Sequence, residues 1–287
     1  MDALLKLLSA LPLSLLHLLG TLGGWIVFLT SKRYRKYLLE NLSGAGYGDP
    51  GLRNRAIAEA GKAVLEVSAI WLRPQPDVVR WVRQVSGAEL VEAARARGKG
   101  VVLLTPHLGC FEICAQWCSF RDPLTVLYRP PKQKGLEAAM LAGRGRPNIT
   151  LAPTDMSGVR KLLRALKRHE TVGILPDQVP SFGEGEWADF FGRPAYTMTL
   201  IPRLLETTGA ELILVFAERL AGGAGFHLRF LRPPDPLPGE SAARYTNRAV
   251  ELMVAECPPQ YLWAYNRYKA PAGVEPAAGM TSADSTS

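Results

Sequence analysis

Val101-Val102-Leu103-Leu104-Thr105-Pro106-His107-Leu108-Gly109-Cys110-Phe111-Glu112 is the stretch that decides the fold. Its first four residues are a short apolar run, the pattern of a buried strand. Leu108 to Trp117 is apolar and free of proline, so it reads as a helix. His107 therefore stands at the mouth of a strand-to-helix turn, and Glu112 follows five positions later, about one helical turn in. Loops at the carboxyl ends of sheet strands are where α/β proteins carry their chemistry. A neutral imidazole can take a proton from a substrate hydroxyl. A carboxylate on its other nitrogen fixes the tautomer and steadies the imidazolium. On that reading His107 is the general base, Glu112 its partner, and the substrate hydroxyl the nucleophile, with no serine or cysteine acyl-enzyme. A histidine and a glutamate at this spacing also arise by chance, so the surrounding sequence has to carry the reading.

Outward from that turn, helices and short apolar strands alternate. Strands are expected at Leu124 to Tyr128, Thr171 to Leu175, Glu211 to Ala217 and Phe226 to Phe230. Helices are expected at Leu52 to Leu72, Asp77 to Val85, Ala88 to Arg97, Gly135 to Ala142, Gly158 to Arg168, Tyr196 to Thr207 and Arg244 to Ala255. Tyr34 to Pro50 reads as a connection and Pro180 to Pro194 as a Gly-rich aromatic loop. Pro202 inside a helical stretch predicts a kink or a late start. The sum is one α/β domain over residues 32–269, with a mostly parallel central sheet flanked by helices and an antiparallel pair near its end. Residues 270–287 are Ala, Gly, Pro and Ser with few apolar side chains and are expected to be disordered.

Leu7 to Ser31 contains no Asp, Glu, Lys or Arg, and Lys32, Arg33, Arg35 and Lys36 follow at once. That is long enough to cross a bilayer, and the basic flank places the following chain on the cytoplasmic side. Pro12, Gly20, Gly23 and Gly24 leave open a segment that dips in without crossing. Residues 1–31 are thus a membrane anchor, which puts the rest of the chain at the cytoplasmic membrane surface. The whole chain of 287 residues is 47% hydrophobic and carries a net charge of +8. Such a balance points to phosphate-bearing partners, and with no nucleic-acid motif in the chain the membrane is the better candidate. Residues 129–170 hold ten basic and three acidic side chains, so the excess is concentrated there. Arg129, Arg144 and Arg146 lie in turn-like contexts suited to gripping phosphates bidentately. Cys110, Cys114 and Cys118 recur every fourth residue on one helix face, a poor arrangement for disulfides, and no zinc-like spacing accompanies them. They are expected to be small buried residues, with no metal and no cofactor.

Several further motifs stand in a set order: Tyr128-Arg129-Pro130, Gly143-Arg144-Gly145-Arg146, Asp155-Met156-x-Gly158-Val159, Pro176-Asp177-Gln178 with Asp189-Phe190-Phe191-Gly192, and Gln260-Tyr261-Leu262-Trp263 with Arg267. Together with His107-x4-Glu112 they resemble the late-acting bacterial lipid A biosynthesis acyltransferases, within the lysophospholipid acyltransferase superfamily. The resemblance runs from the hydrophobic anchor to about Lys269. It implies transfer of an acyl chain from acyl carrier protein to a hydroxyl on a phosphorylated glycolipid acceptor, without metal, and it implies that the membrane is a bacterial inner membrane. It also implies that Arg129, Arg144 and Arg146 face acceptor phosphates or sugar acids, and that Asp177 and Gln178 belong to site architecture or acceptor hydrogen bonding. Asp177 capping a turn and Gln178 bonding to backbone is the plainer reading of that pair. Tyr261 and Trp263 read as core. Asp155-Met156-Ser157 lacks a basic residue common after the Met in the family, which bears on acceptor identity more than on reaction type. A superfamily acyltransferase with another acceptor (a lysophospholipid, aminolipid or glycolipid) and a non-catalytic lipid-binding protein are the competing readings.

Overall fold

The computed structural model describes residues 2–130 and 140–277. Seven strands form one sheet: β1 (Val82–Ser86), β2 (Val101–Leu104), β3 (Leu124–Tyr128), β4 (Ile149–Pro153), β5 (Thr171–Ile174), β8 (Glu211–Arg219) and β9 (Phe226–Leu231). Their order is β1-β9-β8-β2-β5-β3-β4, and every neighbouring pair is parallel except β8 with β9. β6 (Gly185–Phe190) and β7 (Arg193–Met198) form a separate hairpin. The sheet is the mostly parallel one expected, with its antiparallel pair near the end of the chain.

The central strand shows why its sequence is uniformly apolar. Successive side chains alternate between faces. Val101 and Leu103 pack on one side with α5 (Gln75–Val79), α6 (Glu89–Ala96) and α7 (Phe111–Ser119). Val102 and Leu104 pack on the other with α3 (Lys32–Gly44), α8 (Met156–Lys167), α9 (Leu200–Thr208) and α10 (Ala242–Glu256). Helices on both faces leave no side of β2 to water. α4 (Pro50–Leu72) sends Ile57 to one core and Ile70 to the other.

Departures from the sequence reading have local causes. The connection expected at Tyr34 to Pro50 is largely α3, because Ser31 caps it, accepting from the Tyr34 N–H, and Leu38 and Leu42 form a buried stripe. Asp77 to Val85 is a five-residue helix and then β1, whose Arg83, Gln84 and Ser86 hid an exposed edge strand. β4, Ile149-Thr150-Leu151-Ala152-Pro153 at the opposite edge, was not expected either: it is five residues long and ends on a proline, which reads as a breaker. The loop expected at Pro180 to Pro194 contains the β6–β7 hairpin, turned by Phe191 (φ 48°) and Gly192 (φ 72°). Two left-handed residues in succession match the twist of flanking strands. α9 starts late, at Leu200, so Pro202 falls in the first turn, where a missing N–H breaks no helical bond. Of the helix expected at Gly135 to Ala142, residues 135–139 lie outside the described residues, and residues 140–144 are helical. Residues 278–287 of the expected tail are likewise outside. The chain up to 277 runs back past β6, where the Trp187 indole donates to Glu275 O at 3.0 Å.

The apolar amino terminus is two helices, α1 (Asp2–Ala10) and α2 (Leu13–Thr30), parted at Leu11-Pro12. Among the described residues α2 is the one helix long and apolar enough to cross a membrane. It packs along α4 at very close range: a Cβ on Gly61 would overlap Gly20 O, and one on Gly24 would overlap Ile57 O. Glycine at these positions is what lets the backbones touch. The other side of α2 presents Leu15, Leu18, Leu19, Leu22, Ile26 and Leu29 outward.

Candidate active site

Parallel pairing in register builds the centre of the site. Leu104 is paired with Ile174, and each strand then continues for three residues. The Thr105 N–H donates to Ile174 O at 3.0 Å, keeping the two chains side by side past the ladder. His107 and Asp177 therefore leave the sheet together. The His107 backbone N–H donates to Asp177 Oδ2 at 2.8 Å, and ring Nδ1 lies 2.8 Å from Oδ1. Asp177 is 4% exposed, and burial alone would raise its pKa. The attraction of His107 when its ring is protonated, together with the hydrogen bonds onto the carboxylate, outweighs that and holds it below the ordinary carboxylate range. An ionised carboxylate only accepts, so in the neutral ring Nδ1 carries the proton and Nε2 keeps its lone pair. The Gln178 side-chain amide donates to that Nε2 at 3.2 Å.

The turn after His107 is clamped on three sides. Gly109 adopts φ 59°, and a Cβ there would overlap Ala217 O. Its N–H donates to Gln260 O at 3.0 Å, and the Cys110 N–H donates to Ala217 O at 2.8 Å. The Leu262 N–H donates to His107 O at 3.0 Å. Beneath this lies buried Arg219. Its Nη2 donates to Gly109 O at 2.7 Å and its Nε to the Glu66 carboxylate at 2.8 and 2.9 Å. His17 Nε2 of α2 meets the same carboxylate at 2.5 Å.

The clamped turn also explains where the expected His107–Glu112 pairing departs from the structure. α7 begins only at Phe111, and the Phe111 ring packs on the imidazole at 4.7 Å between centroids. Consecutive helix residues point about 100° apart, so Glu112 turns away toward α4. It is buried there, accepting from the Trp71 indole at 3.2 Å and from Arg144 Nε at 3.1 Å to each oxygen, with Arg144 Nη2 closer still. The carboxylate on the imidazole is Asp177. Nor are the three arginines grouped as phosphate ligands. Arg144 is bound to Glu112. Arg146 donates to Gln116 Oε1 and to the carbonyls of Ile70, Trp71 and Arg73, closing the end of α4. Arg129 is exposed and reaches Val179 O with long contacts of 3.4 and 3.5 Å.

Two cavities flank this centre and share Leu127. One is a narrow apolar tunnel between α7 and the sheet, with Thr105, Phe111, Glu112 and Arg144 at the end nearest His107. The other is a cleft of about 570 Å³, lined by Met156, Val159, Leu163, Met198, Leu200 and Leu204, with Arg129 and Arg203 on its wall. Cys114 and Cys118 line the tunnel, and burial pushes the Cys118 thiol up to about 12, so neither is primed as a nucleophile.

The profile of the bacterial lipid A biosynthesis acyltransferases matches residues 2–270. The chain belongs to that family. It is similar to the lipid A biosynthesis palmitoleoyltransferase of Escherichia coli K12, 28% identical over 228 residues, covering 76% of this chain and 72% of the relative. It is similar at 28% to the lauroyltransferase of the same strain over 220 residues, 75% of this chain and 71% of the relative. A Haemophilus influenzae lipid A biosynthesis acyltransferase is 25% identical over 218 residues, 74% of this chain and 68% of its own length. Lipid A acyltransferases are enzymes, and this chain is an acyltransferase on that ground. Within the family's ordered motifs, Pro176-Asp177-Gln178 delivers both groups that touch the imidazole. Gln260-Tyr261-Leu262-Trp263 delivers core aromatics and two of the bonds that clasp the turn. Asp155 is the N-cap of α8, accepting from the N–H groups of Ser157 and Gly158. Glu66 and Arg219 were not singled out from sequence. Glu66 stands among other charges along α4 and Arg219 beside Glu218 at the end of β8, and the only sign was a charged side chain at a position whose neighbours are buried.

Proposed function

We propose that this lipid A acyltransferase family member moves an acyl chain from acyl carrier protein to a hydroxyl of a phosphorylated lipid A precursor, with His107 as general base and Asp177 as its orienting partner. The observation that carries the reading is the bare Nε2 of His107, held by Asp177 on the opposite nitrogen and met by a donor amide from Gln178. The acceptor hydroxyl takes the place of that amide and donates its proton to Nε2 while its oxygen attacks the thioester carbonyl. The tetrahedral intermediate collapses, the carbon–sulfur bond breaks, and the imidazolium returns the proton to the departing carrier thiolate. Every proton is accounted for by one imidazole, and no acyl-enzyme is formed.

The two cavities suit the two substrates. The narrow tunnel, of about 40 Å³ against about 570 Å³ for the cleft, takes a single alkyl chain, and Glu112 holds Arg144 at its mouth, where a cation faces the charge developing on the carbonyl oxygen. The wider cleft, with Arg129 and Arg203, fits a lipid acceptor bearing phosphate. Membrane attachment uses the outward leucines of α2 and the basic face of α8, where Arg160, Arg164 and Lys167 are exposed. α2 lies in the plane of the cytoplasmic leaflet of the inner membrane. A full crossing would carry α4, with Glu59 and Lys62, into hydrocarbon beside it.

The test is purified enzyme with acyl carrier protein donors and a panel of lipid acceptors, read by mass spectrometry. One added acyl chain on the lipid A precursor, with lysophospholipids, aminolipids and other glycolipids unchanged, is the expected result. Transfer to one of the others alone overturns the acceptor, and transfer from coenzyme A donors alone overturns the carrier.

A further inference from the structure

The narrow tunnel does not end in solid core. Leu103, Cys118 and Leu124 close its far end, and the same three residues line a second cavity of about 400 Å³ at the opposite, amino-terminal edge of the sheet. Behind them that chamber is walled by Val91, Trp117 and Phe230. Its rim is held by the Arg95–Asp122 ion pair at 2.6 Å and by Arg121 stacked 3.6 Å over Trp117. Space therefore runs along the underside of α7 to a partition made of these three side chains, with the second cavity beyond it.

Resting on the acyl-transfer reading above, we propose that Leu103, Cys118 and Leu124 are the specificity-determining residues for donor chain length. An alkyl chain threaded from the His107 end fills the tunnel until its terminal methyl meets the partition. Apolar pockets discriminate by roughly 10–200-fold per methylene. A donor too long for the tunnel is excluded because well-packed side chains resist overfilling. The chamber makes the limit adjustable: trimming the partition joins two existing cavities instead of excavating a core. Gly173 supplies the opposite control. It lines the tunnel from the middle of β5, and an added Cβ would sit 3.8 Å from Val126 Cγ2 and 3.9 Å from Leu124 Cδ1, ordinary contact distances. A side chain there blocks the bore without moving backbone.

The experiment compares the full-length protein with Leu124→Ala, Leu103→Ala and Gly173→Val, offering acyl carrier protein donors of graded chain length in competition. Leu124→Ala and Leu103→Ala should raise the ratio of long- to short-chain product about 10-fold or more, and Gly173→Val should lower it by a similar factor. Folded variants that turn over with an unchanged ratio overturn the proposal. A binding arm works without turnover: fatty acids carrying a quencher on the terminal carbon, with Trp117 fluorescence as readout. Long chains should quench Leu124→Ala more than wild type, and the added quenching should vanish in Leu124→Ala/Trp117→Phe. Equal quenching in wild type and Leu124→Ala overturns the partition whether or not the enzyme transfers acyl groups. Silence of the wild type in the transfer arm alone counts against the reaction and leaves the binding arm to decide the partition.

Discussion

Asp177 and Glu66 are both buried carboxylates held by nitrogen cations or their neutral forms, and they serve the same loop in opposite ways. Glu66 accepts from Arg219 and meets His17, with all three side chains nearly sealed from solvent. Burial would raise its pKa, but the Arg219 charge and its hydrogen bonds hold it down. Arg219 in turn is fixed as a cation, donating from Nη2 to Gly109 O and from Nη1 to Glu59 Oε2. Asp177 faces an imidazole that is 13% exposed and keeps one nitrogen outside the pair. The first arrangement is closed and serves as a footing. The second is open on one side and can move a proton. Only Leu108 separates Gly109 from His107, so the footing sets the position of the base.

Removing the base should give the largest effect. His107→Ala is expected to cut transfer by about 10²–10⁴-fold, a larger effect than the loss of stability from leaving Asp177 without its ring partner. Steady-state rates with a thermal melt on the same sample check it. Near-normal turnover in a folded variant would end the general-base role. Arg219→Met tests the footing and should fail in the other currency. It leaves Glu66 buried with His17 alone, a loss on the order of 3–5 kcal/mol in unfolding free energy. Denaturant titration reads this directly. A variant that melts normally but loses activity would mean that Arg219 acts on the reaction rather than on the frame.

How much of this was readable in advance follows the same division. The run Val101 to Leu104 announced a doubly covered strand because its face alternation had no polar side to show. His107 was legible because a proline and a glycine bracket it between strand and helix. Its partner was misplaced because spacing along the chain was used where spacing across the sheet decides. Residues 107 and 177 are 70 apart in sequence and become neighbours through the pairing of Leu104 with Ile174, which no local pattern encodes. The arginines show a related effect. The sequence around Arg144 and Arg146 reads as turn-like, as for phosphate ligands, but Arg144 ends a short helix beside buried Glu112 and Arg146 follows it at the open end of α4, so both bind internally first. Edge strand β1 was lost because its free edge allows polar residues that erase the strand pattern, and β4 because its five residues end on a proline.

The two carboxylates near His107 can be told apart by substitution. Asp177→Asn keeps the volume but offers an amide N–H where two donors already point, so the Nδ1–H tautomer loses its support. Transfer should fall by roughly 10²-fold, and the pH–rate profile should change its acid limb. Glu112→Gln should lower the rate less and leave that limb where it is, because its partners are Arg144 and Trp71. An acid limb that moves in Glu112→Gln and stays in Asp177→Asn would restore the pairing expected from the sequence.

The smallest effect is in acid stability. Asp177 has a folded-state pKa below its unfolded value of about 3.9. A depressed carboxylate contributes stability that is fully present above the unfolded value and is lost as pH falls through the folded one. Wild type should therefore exceed Asp177→Asn by about 1.5–3 kcal/mol at neutral pH, the range for hydrogen bonds to a charged group. The gap should hold down to about pH 5 and narrow below about pH 4. Glu66 is untouched in both proteins, so its own acid dependence cancels in the difference. Urea titrations at a series of pH values measure the gap. A difference that stays constant into acid would show that Asp177 is not ionised in the folded protein, and Nε2 of His107 would then lose the physical reason for its free lone pair.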